Sequence, residues 1–320
     1  MTRRIPVWLT LVPLLAALLL YWLLWSGWAS DFRVVIQGWL PKNTPEISGF
    51  PYRLEADVAN PAFAGGDVVK LMAKAVRARI NRGPWQPELT VISSESPIFS
   101  ALASPLLKID IAGKTALTSI HITEGRLQRV STVIEAATVR FGFRSLALAA
   151  DGLELHLRER ISARNTPAAA TPSPRAQLVI AGTRLRFANS DAVTFAADIV
   201  ATGAARLTAY DAWATTGTIE ITSLTLADAS GEVARVRATL VPVGRTSLRY
   251  AGTIETICPA SVIAAFNGLP APSERRLRAP ARLAFEGKAG LVTLTGIPEN
   301  LAARATRSQL PPCPALRGVG

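Results

Sequence analysis

The residues that could carry chemistry are few, and they lie far apart along the chain. The two histidines, His121 and His156, each occupy the polar side of an alternating segment. A zinc site needs three or four ligands, usually closely spaced, and only Glu154 accompanies His156. The chain contains no nucleophile-elbow, P-loop or dinucleotide-binding glycine motif. We therefore predict no catalytic residue, no metal ligand and no cofactor, and a protein that is not an enzyme.

Two cysteines, Cys258 and Cys313, are the other reactive side chains. Neither has a second cysteine or a histidine close by, so neither fits a metal site. A disulfide between them would close a loop of 55 residues, and chain entropy predicts about 4 kcal/mol of stabilisation from it. The alternative is a pair of unrelated buried thiols, and sequence spacing leaves both interpretations open.

The first thirty residues contain the most informative pattern in the chain. Ile5–Ser30 is a run of 26 residues without a charge. At ~1.5 Å per residue, about 20 helical residues span the roughly 30 Å hydrocarbon core of a bilayer. The run predicts either an uncleaved membrane anchor or a cleavable signal peptide, with Gly27 and Ala29 as the small residues of a cleavage site.

Length and aromatic content favour the anchor. Val7–Trp25 is 19 residues long, whereas the apolar region of a signal peptide usually has about 7–15 residues. Tryptophans cluster at its C-terminal end, as is typical of a membrane–water interface. Arg3 and Arg4 would stay in the cytoplasm under the positive-inside rule. We predict a single-pass inner-membrane protein with its body in the periplasm.

The charge of the chain is strongly basic but dispersed. The formal net charge is +12, and arginines far outnumber lysines. No stretch interleaves basic residues with stacking aromatic residues, as single-strand nucleic-acid binders do. We therefore predict no nucleic-acid partner. The favoured interpretation is that these basic side chains are dispersed and solvated. The alternative is that they are attracted to an anionic lipid surface.

The body of the chain is predicted to be mainly β. Apolar and polar residues alternate with period two between turn residues, and short connections favour antiparallel pairing. The predicted fold class is an N-terminal transmembrane helix followed by an elongated or curved antiparallel β-sheet body with one or two short helices. The longest predicted strands are 127–141, 177–187, 218–227, 232–241 and 247–257.

Four local features sharpen this prediction. Asp151-Gly152 and Asp228–Gly231 are predicted turns. The apolar phase changes between Ile221 and Leu224, which predicts a bulge near Thr222–Ser223. Pro259–Asn267 is predicted to be a short helix, because proline occupies its first turn and glycine follows it.

One segment can be interpreted in two ways. The apolar residues of Asp67–Ile80 fit one face of a helix, and the same segment also alternates like a strand. Because its neighbours are strands, we predict a strand here.

Composition divides the chain into five parts. Ser162–Ala176 is rich in proline, alanine, serine and threonine and has no apolar periodicity, which predicts a linker or a long exposed loop. The predicted parts are an anchor at 1–30, a β-rich segment at 31–161, this linker or loop at 162–176, a second β-rich segment at 177–298 that could continue the first, and an irregular tail at 299–320.

Two sequence runs carry a resemblance to a known family. Ser48–Pro61 reads SGFPYRLEADVANP, and Pro84–Pro87 reads PWQP before a strand. Together with the anchor and the strand-rich body, they resemble a family of alphaproteobacterial membrane-anchored proteins, domain of unknown function 2125. The alternating strands between Thr216 and Glu255 are also similar to AsmA-type envelope proteins. The first resemblance implies a β-rich body that faces the periplasm, and it implies no functional residues.

The anchor, the strands and the long aliphatic faces lead to one functional prediction. We expect a membrane-anchored periplasmic binding protein that handles a lipid or acyl chain or assists envelope assembly. The alternative is a structural module of the envelope that recruits a protein partner and binds no small molecule. A hydrolase is a third and weaker alternative, for which His156 would be the residue to test.

Overall fold

The structure is a computed structural model, and it describes ten ranges of the chain. The predicted loop is outside them as far as residue 173, as is most of the predicted tail. The described ranges are 8–66, 69–102, 108–142, 147–159, 174–187, 190–203, 210–244, 247–288, 291–295 and 310–316.

The described residues contain three helices and eighteen strands. The helices are α1 (Trp8–Trp39), α2 (Tyr210–Ala214) and α3 (Pro259–Phe266). The strands are β1 (Ile47–Ser48), β2 (Leu54–Ala59), β3 (Ala62–Gly65), β4 (Lys70–Lys74), β5 (Arg77–Gly83), β6 (Gln86–Glu95), β7 (Ile98–Leu102), β8 (Lys108–Ala112), β9 (Thr115–Thr123), β10 (Arg126–Phe141), β11 (Ala147–Glu159), β12 (Pro174–Phe187), β13 (Val193–Thr202), β14 (Thr218–Asp228), β15 (Gly231–Val243), β16 (Ser247–Thr256), β17 (Ala281–Lys288) and β18 (Leu291–Thr295).

All eighteen strands belong to one antiparallel sheet, which confirms the predicted fold class. From β9 to β18, each strand pairs with the next strand of the chain. Before β10 the pairing divides into two ladders. One joins β2, β5, β6 and β9, and the other joins β3, β4, β7 and β8. Both ladders end on β10, because its two halves pair with β9 and β8.

Residues with a left-handed backbone conformation lie in a row between these two ladders. Asn60 lies between β2 and β3, Ser96 lies between β6 and β7, and Ala136 lies within β10. Each of the three has a φ of 49°. Hydrogen bonds continue across this row, for example from the Ser96 amide to the Lys114 carbonyl at 2.8 Å. Left-handed residues in strands change the direction of the chain. The long early strands therefore turn at a common level, and their two parts join different regions of the molecule.

The register aligns apolar residues in rows across the strands. The row that we call the central apolar row crosses ten strands from β9 to β18. It consists of Ile120, Val130, Leu157, Leu178, Ile199, Ile221, Ala238, Gly252, Phe285 and Leu294. Because side chains alternate between the two faces of a sheet, this row defines an apolar face, and the intervening residues define a polar face.

Several local predictions can be compared with the strands. Asp67–Ile80 contributes β4 and β5, so the strand interpretation is right. A register shift at Thr222–Ser223 confirms the bulge, and it keeps Ile221 and Leu224 on the apolar face. The Asp228–Gly231 turn is also confirmed. The predicted Asp151-Gly152 turn is wrong, because both residues lie inside β11 at the level of Ala136.

Two predicted boundaries differ in the structure. The predicted short helix is present as α3, with Gly268 after it at a φ of 67°. Helix α1 continues to Trp39, past the predicted end of the anchor at residue 30. Strand β12 begins at Pro174, so the last residues of the predicted loop belong to the sheet.

Candidate functional site: the apolar face and its covers

The apolar face is covered unevenly. Toward one edge of the sheet, Ala234, Ile254 and Leu283 are buried. Toward the other edge, the residues of the central apolar row are mostly half-buried, including Leu178 and Ile199. We call the first the α3-side edge and the second the anchor-side edge, after the helix that lies at each. Half-buried aliphatic side chains across many strands leave apolar surface that can contact a ligand.

Helix α1 covers the apolar face of β2, β5 and β6. The C-terminal half of α1 buries one stripe of side chains against Leu54, Ala56, Val58 and Ile80. The stripe consists of Trp25, Ala29, Phe32 and Ile36, whose spacing of three and four residues places them on one side of a helix. Leu40, directly after α1, extends it. The N-terminal half differs, because its leucines between 11 and 24 are exposed. The N-terminal half of α1 is therefore an exposed apolar helix, and its C-terminal half is part of the folded core.

A cation lies where the part of the face covered by α1 meets the central apolar row. Arg82 pairs in register with Thr90, and Thr90 pairs with Ile120 of the central apolar row. The guanidinium donates to the Thr90 hydroxyl at 2.9 and 3.1 Å and lies 4.9 Å from the Phe32 ring centroid. Burial lowers the pKa of Arg82. Among the described residues no carboxylate forms an ion pair with it, so its charge is available to an anionic group.

At the α3-side edge, α3 packs onto the apolar face. Val262 belongs to the same core as Ile134, Leu153 and Ile254. The ring centroid of Phe266 lies 6.0 Å from that of Phe285, which is in the central apolar row. Helix α3 therefore covers the face at this edge.

The start of α3 is held by a buried carboxylate. Glu274 accepts hydrogen bonds from the backbone N–H groups of Ala260 and Ser261, both at 3.0 Å. These are the N–H groups that a helix leaves without internal partners, and a negative charge there also interacts favourably with the helix dipole.

The C-terminal segment 310–316 completes this cover. The Cys313 amide donates to the Glu274 carbonyl at 2.8 Å, and the Ala315 amide donates to the Asp191 carboxylate at 2.7 Å. The structure places a disulfide between Cys258 and Cys313, whose Cα atoms are 5.8 Å apart. Arg276 beside this segment is buried and forms an ion pair with Asp228 of β14. Covalent and ionic contacts thus fasten the cover to the sheet.

Helix α2 covers a smaller area at the anchor-side edge. Trp213 is buried, and its indole N–H donates to the Thr202 carbonyl at 2.7 Å. The ring lies so close to Gly217 that a Cβ there would be 2.3 Å from the ring. This tight packing covers the end of β13 and the start of β14.

The two histidines lie on the polar face, where the sequence predicted them. His121 Nε2 is 3.3 Å from Glu88, and His156 Nε2 is 3.5 Å from Glu154. Both side chains are partly exposed, and they are on different parts of the sheet. Among the described residues, no group of three or more His, Cys, Asp or Glu side chains could hold a metal ion. The structure does not bring these residues together into a site.

The two runs that carry the family resemblance meet at α1. The hydroxyl of Tyr21 donates to the Pro51 carbonyl at 2.5 Å, and the Trp25 indole N–H donates to the Arg53 carbonyl at 3.0 Å. Trp85 of the second run lies 6.1 Å from the Tyr21 ring, centroid to centroid. The sequence analysis does not predict this contact. The sequence does contain a local signal for the packing of α1 on the body. The apolar residues that follow the predicted anchor keep the three- and four-residue spacing of one helix face.

Comparisons with known proteins identify the family of the chain. No curated protein and no solved structure matches the chain. A family model described as an uncharacterized protein conserved in bacteria, DUF2125, matches residues 43–298, which include β1 to β18. The match begins just after α1 and includes α3, so it covers the sheet and α3 but ends before segment 310–316. The chain belongs to this DUF2125 family.

Proposed function

We propose that the chain is a membrane-anchored binding protein whose apolar face holds the acyl chain of a lipid. The observation that carries this proposal is the decline in burial along that face. The α3-side edge is closed by α3 and the C-terminal segment, whereas most of the central apolar row is half-buried. An acyl chain on this row would remove apolar area from water, which stabilises a complex by about 25 cal/mol per Å².

The anchor is the second part of the proposal. The apolar N-terminal helix could be a membrane anchor or a signal sequence. We favour the anchor because Trp25 and Ala29 belong to the core of the body. Cleavage after Ala29 would separate these two residues from Phe32 and Ile36 and remove part of that core. The body then lies in the periplasm, on the side of the membrane opposite Arg3 and Arg4.

Photo-crosslinking tests the lipid part of the proposal. The full chain is reconstituted in vesicles that contain a phosphatidylglycerol with a diazirine in its acyl chain, irradiated, and digested for mass spectrometry. We expect labelled peptides from β11 to β16 in addition to α1. Labelling confined to α1 would contradict the proposal, because any membrane helix contacts lipid.

A matched pair of variants makes the test specific. Leu178 is on the apolar face and Val179 is on the polar face, and both are half-buried in β12. Leu178→Gln should remove most labelling of the sheet peptides, whereas Val179→Gln should leave it unchanged. Equal labelling of the two variants would contradict binding on the apolar face, provided that both retain the circular dichroism spectrum of the parent chain.

A reporter fusion tests the location of the body. A C-terminal fusion to an enzyme that folds only after export should be active, and a fusion to a fluorescent protein that folds only in the cytosol should be dark. The reverse result would place the body in the cytoplasm and contradict the proposed orientation.

One observation favours the alternative function as a structural module. Strand β18 pairs only with β17 among the described strands, and its Leu291 is 75% exposed. An exposed strand edge can pair with a strand of another protein. Cross-linking in intact cells with a photoreactive residue in place of Leu291 tests this alternative. A single stoichiometric protein adduct would support it, and an absence of adducts would contradict it. The similarity to AsmA-type envelope proteins remains a prediction.

A further inference from the structure

Aromatic side chains from three separate parts of the sequence form one cluster beside α1. We call Tyr21, Trp25, Trp28, Phe50 and Trp85 the aromatic cluster. Tyr21 lies 5.8 Å from Phe50 and 6.1 Å from Trp85 between ring centroids. Trp25 contacts Phe50 edge-on at 5.5 Å, and Trp28 contacts Trp85 edge-on at 6.2 Å. The two body loops therefore close around the helix with aromatic rings.

The outer surface of this cluster is not covered by the described part of the chain. Phe50 is 45% exposed, Trp85 is 64% exposed, and the adjacent Tyr52 is 74% exposed. Exposed leucines cover α1 from Leu11 to Leu24 on the N-terminal side of the cluster. The cluster thus extends the exposed apolar surface of the helix onto the body itself.

The position of the cluster along the helix matches the thickness of a bilayer. At ~1.5 Å per residue, Tyr21 is about 20 Å and Trp28 about 30 Å along the axis from Trp8, the first residue of α1. The hydrocarbon core is roughly 30 Å thick, so the cluster lies where a helix that enters the core at Trp8 would leave it. Tyrosine and tryptophan prefer this level, because the ring is apolar and its N–H or O–H can reach water.

We propose that the aromatic cluster and Tyr52 are seated in the membrane–water interface, so that the body rests on the bilayer. This inference relies on the proposed anchor and adds a second point of contact to it. Arg53 is exposed beside the cluster, at the level of the lipid phosphates, where a guanidinium can form strong hydrogen bonds. The partner surface is the bilayer itself, with anionic lipid favoured by this charge.

The seating fixes which edge of the sheet faces the membrane. Strand β2 begins just after the Phe50 loop, and β5 ends just before Trp85. In an antiparallel sheet, the ends of β9, β11, β13 and β15 then share this edge. The half-buried part of the apolar face consequently opens on the side where the body meets lipid, and the closed α3-side edge lies opposite.

Spin labels at three positions test the seating in the full chain. The two native cysteines are bonded to each other, so a single added cysteine can be labelled without removing them. The variants are Leu15→Cys in the exposed part of α1, Tyr52→Cys beside the cluster, and Ser230→Cys in the turn between β14 and β15. Each is labelled with a nitroxide and reconstituted in vesicles of phosphatidylcholine and phosphatidylglycerol. Its accessibility to oxygen and to a water-soluble nickel chelate is then measured by electron paramagnetic resonance.

The three labels separate this inference from the anchor. We expect the Leu15 label deep in lipid, the Tyr52 label at a shallow depth, and the Ser230 label in water. If the Tyr52 label is as accessible to nickel as the Ser230 label while the Leu15 label stays in lipid, the seating is wrong and the anchor stands. If the Leu15 label is also in water, both the anchor and the seating are wrong.

Discussion

The apolar face is covered by two different kinds of structure at its two ends. Near the start of the chain, α1 covers β2, β5 and β6 with a stripe that contains Phe32 and Ile36. Toward the end of the chain, α3 and segment 310–316 cover the α3-side edge. The first cover is held mainly by apolar packing, together with hydrogen bonds from Tyr21 and Trp25 to carbonyls of the body. The second is also held by a disulfide, by Glu274 and by the Arg276–Asp228 ion pair.

The difference follows from what each cover can bury. Helix α1 is long and places a large side chain on the sheet at nearly every turn, so burial alone gives it a large stabilisation. Helix α3 has eight residues, and isolated helices of that length are unstable in water. A short cover therefore needs capping, ionic and covalent contacts that a long cover does not need. The following predictions test this contrast, from the largest expected effect to the smallest.

Loss of the disulfide should affect only the second cover. Replacing Cys258 and Cys313 together by alanine removes a cross-link across a long loop, which we expect to lower the free energy of unfolding by about 4 kcal/mol. Hydrogen exchange of the full chain should become faster in α3 and in segment 310–316 and stay unchanged in β2 and β5. Equal acceleration in β2 would show that the two covers unfold together and would break the comparison.

Truncation in the buried stripe should affect the first cover. Phe32→Ala leaves a cavity between α1 and the sheet, and we expect a loss of about 3 kcal/mol in the free energy of unfolding. Val34 is on the exposed side of the same helix, so Val34→Ala is the matched control and should change little. Denaturation followed by tryptophan fluorescence measures both variants. Similar losses for the two would mean that the stripe does not hold the helix on the sheet.

The carboxylate at the start of α3 should contribute less. Glu274→Ala leaves the buried N–H of Ser261 and the half-buried N–H of Ala260 without their acceptor, and we expect a loss of about 2 kcal/mol. Glu274→Gln keeps one acceptor oxygen and should lose about half as much. The midpoint of chemical denaturation measures both losses. An unchanged midpoint for the alanine variant would indicate that packing of Val262 alone secures α3.

A contact outside both covers should have the smallest effect. Asp110 of β8 accepts a hydrogen bond from Ser100 at 2.7 Å and lies 2.9 Å from Lys108, and these contacts lower its pKa below the ordinary 3.8. A lowered pKa means that the folded state favours the charged carboxylate, so this contact contributes stability above pH 4 and loses it as the pH falls further.

The charge-neutral variant checks the sign of this dependence. Asp110→Asn should cost about 0.5 kcal/mol at pH 7, as expected for a partly exposed ion pair. The difference from the parent chain should shrink in acid-titrated denaturation below pH 4. A difference that grows as the pH falls would show that the contact favours the protonated form instead.

Local pattern was enough to predict the type of most elements. The alternation of Leu153, Leu155 and Leu157 predicts a strand with one apolar face, and the structure places all three on the apolar face. The phase change after Ile221 predicts a bulge, because a bulge is the local way to keep both halves of a strand on one face. The proline and glycine that flank α3 act through their own backbone preferences, so they predict the helix without knowledge of any tertiary contact.

Prediction failed where the same residues are compatible with two different local structures. Asp151-Gly152 has the composition of a turn, yet it lies within β11 because neighbouring strands on both sides pair through it. The division of the early strands into two ladders is not predicted from the sequence for a similar reason. The strands are interrupted at Asn60 and Ser96, and these two positions are aligned only in the assembled sheet. The local sequence does not predict the left-handed conformation of either residue.

The sequence by itself determined the apolar leader, the β-rich class of the body, the bulge in β14 and helix α3, since each depends on residues adjacent in the chain. Only the tertiary structure decided that α1 continues onto the sheet, that Phe50 and Trp85 meet around Tyr21, and that Cys258 reaches Cys313. These contacts join residues separated by tens of positions. Which of many apolar or aromatic side chains meet is set by strand register and sheet twist, which no local spacing records.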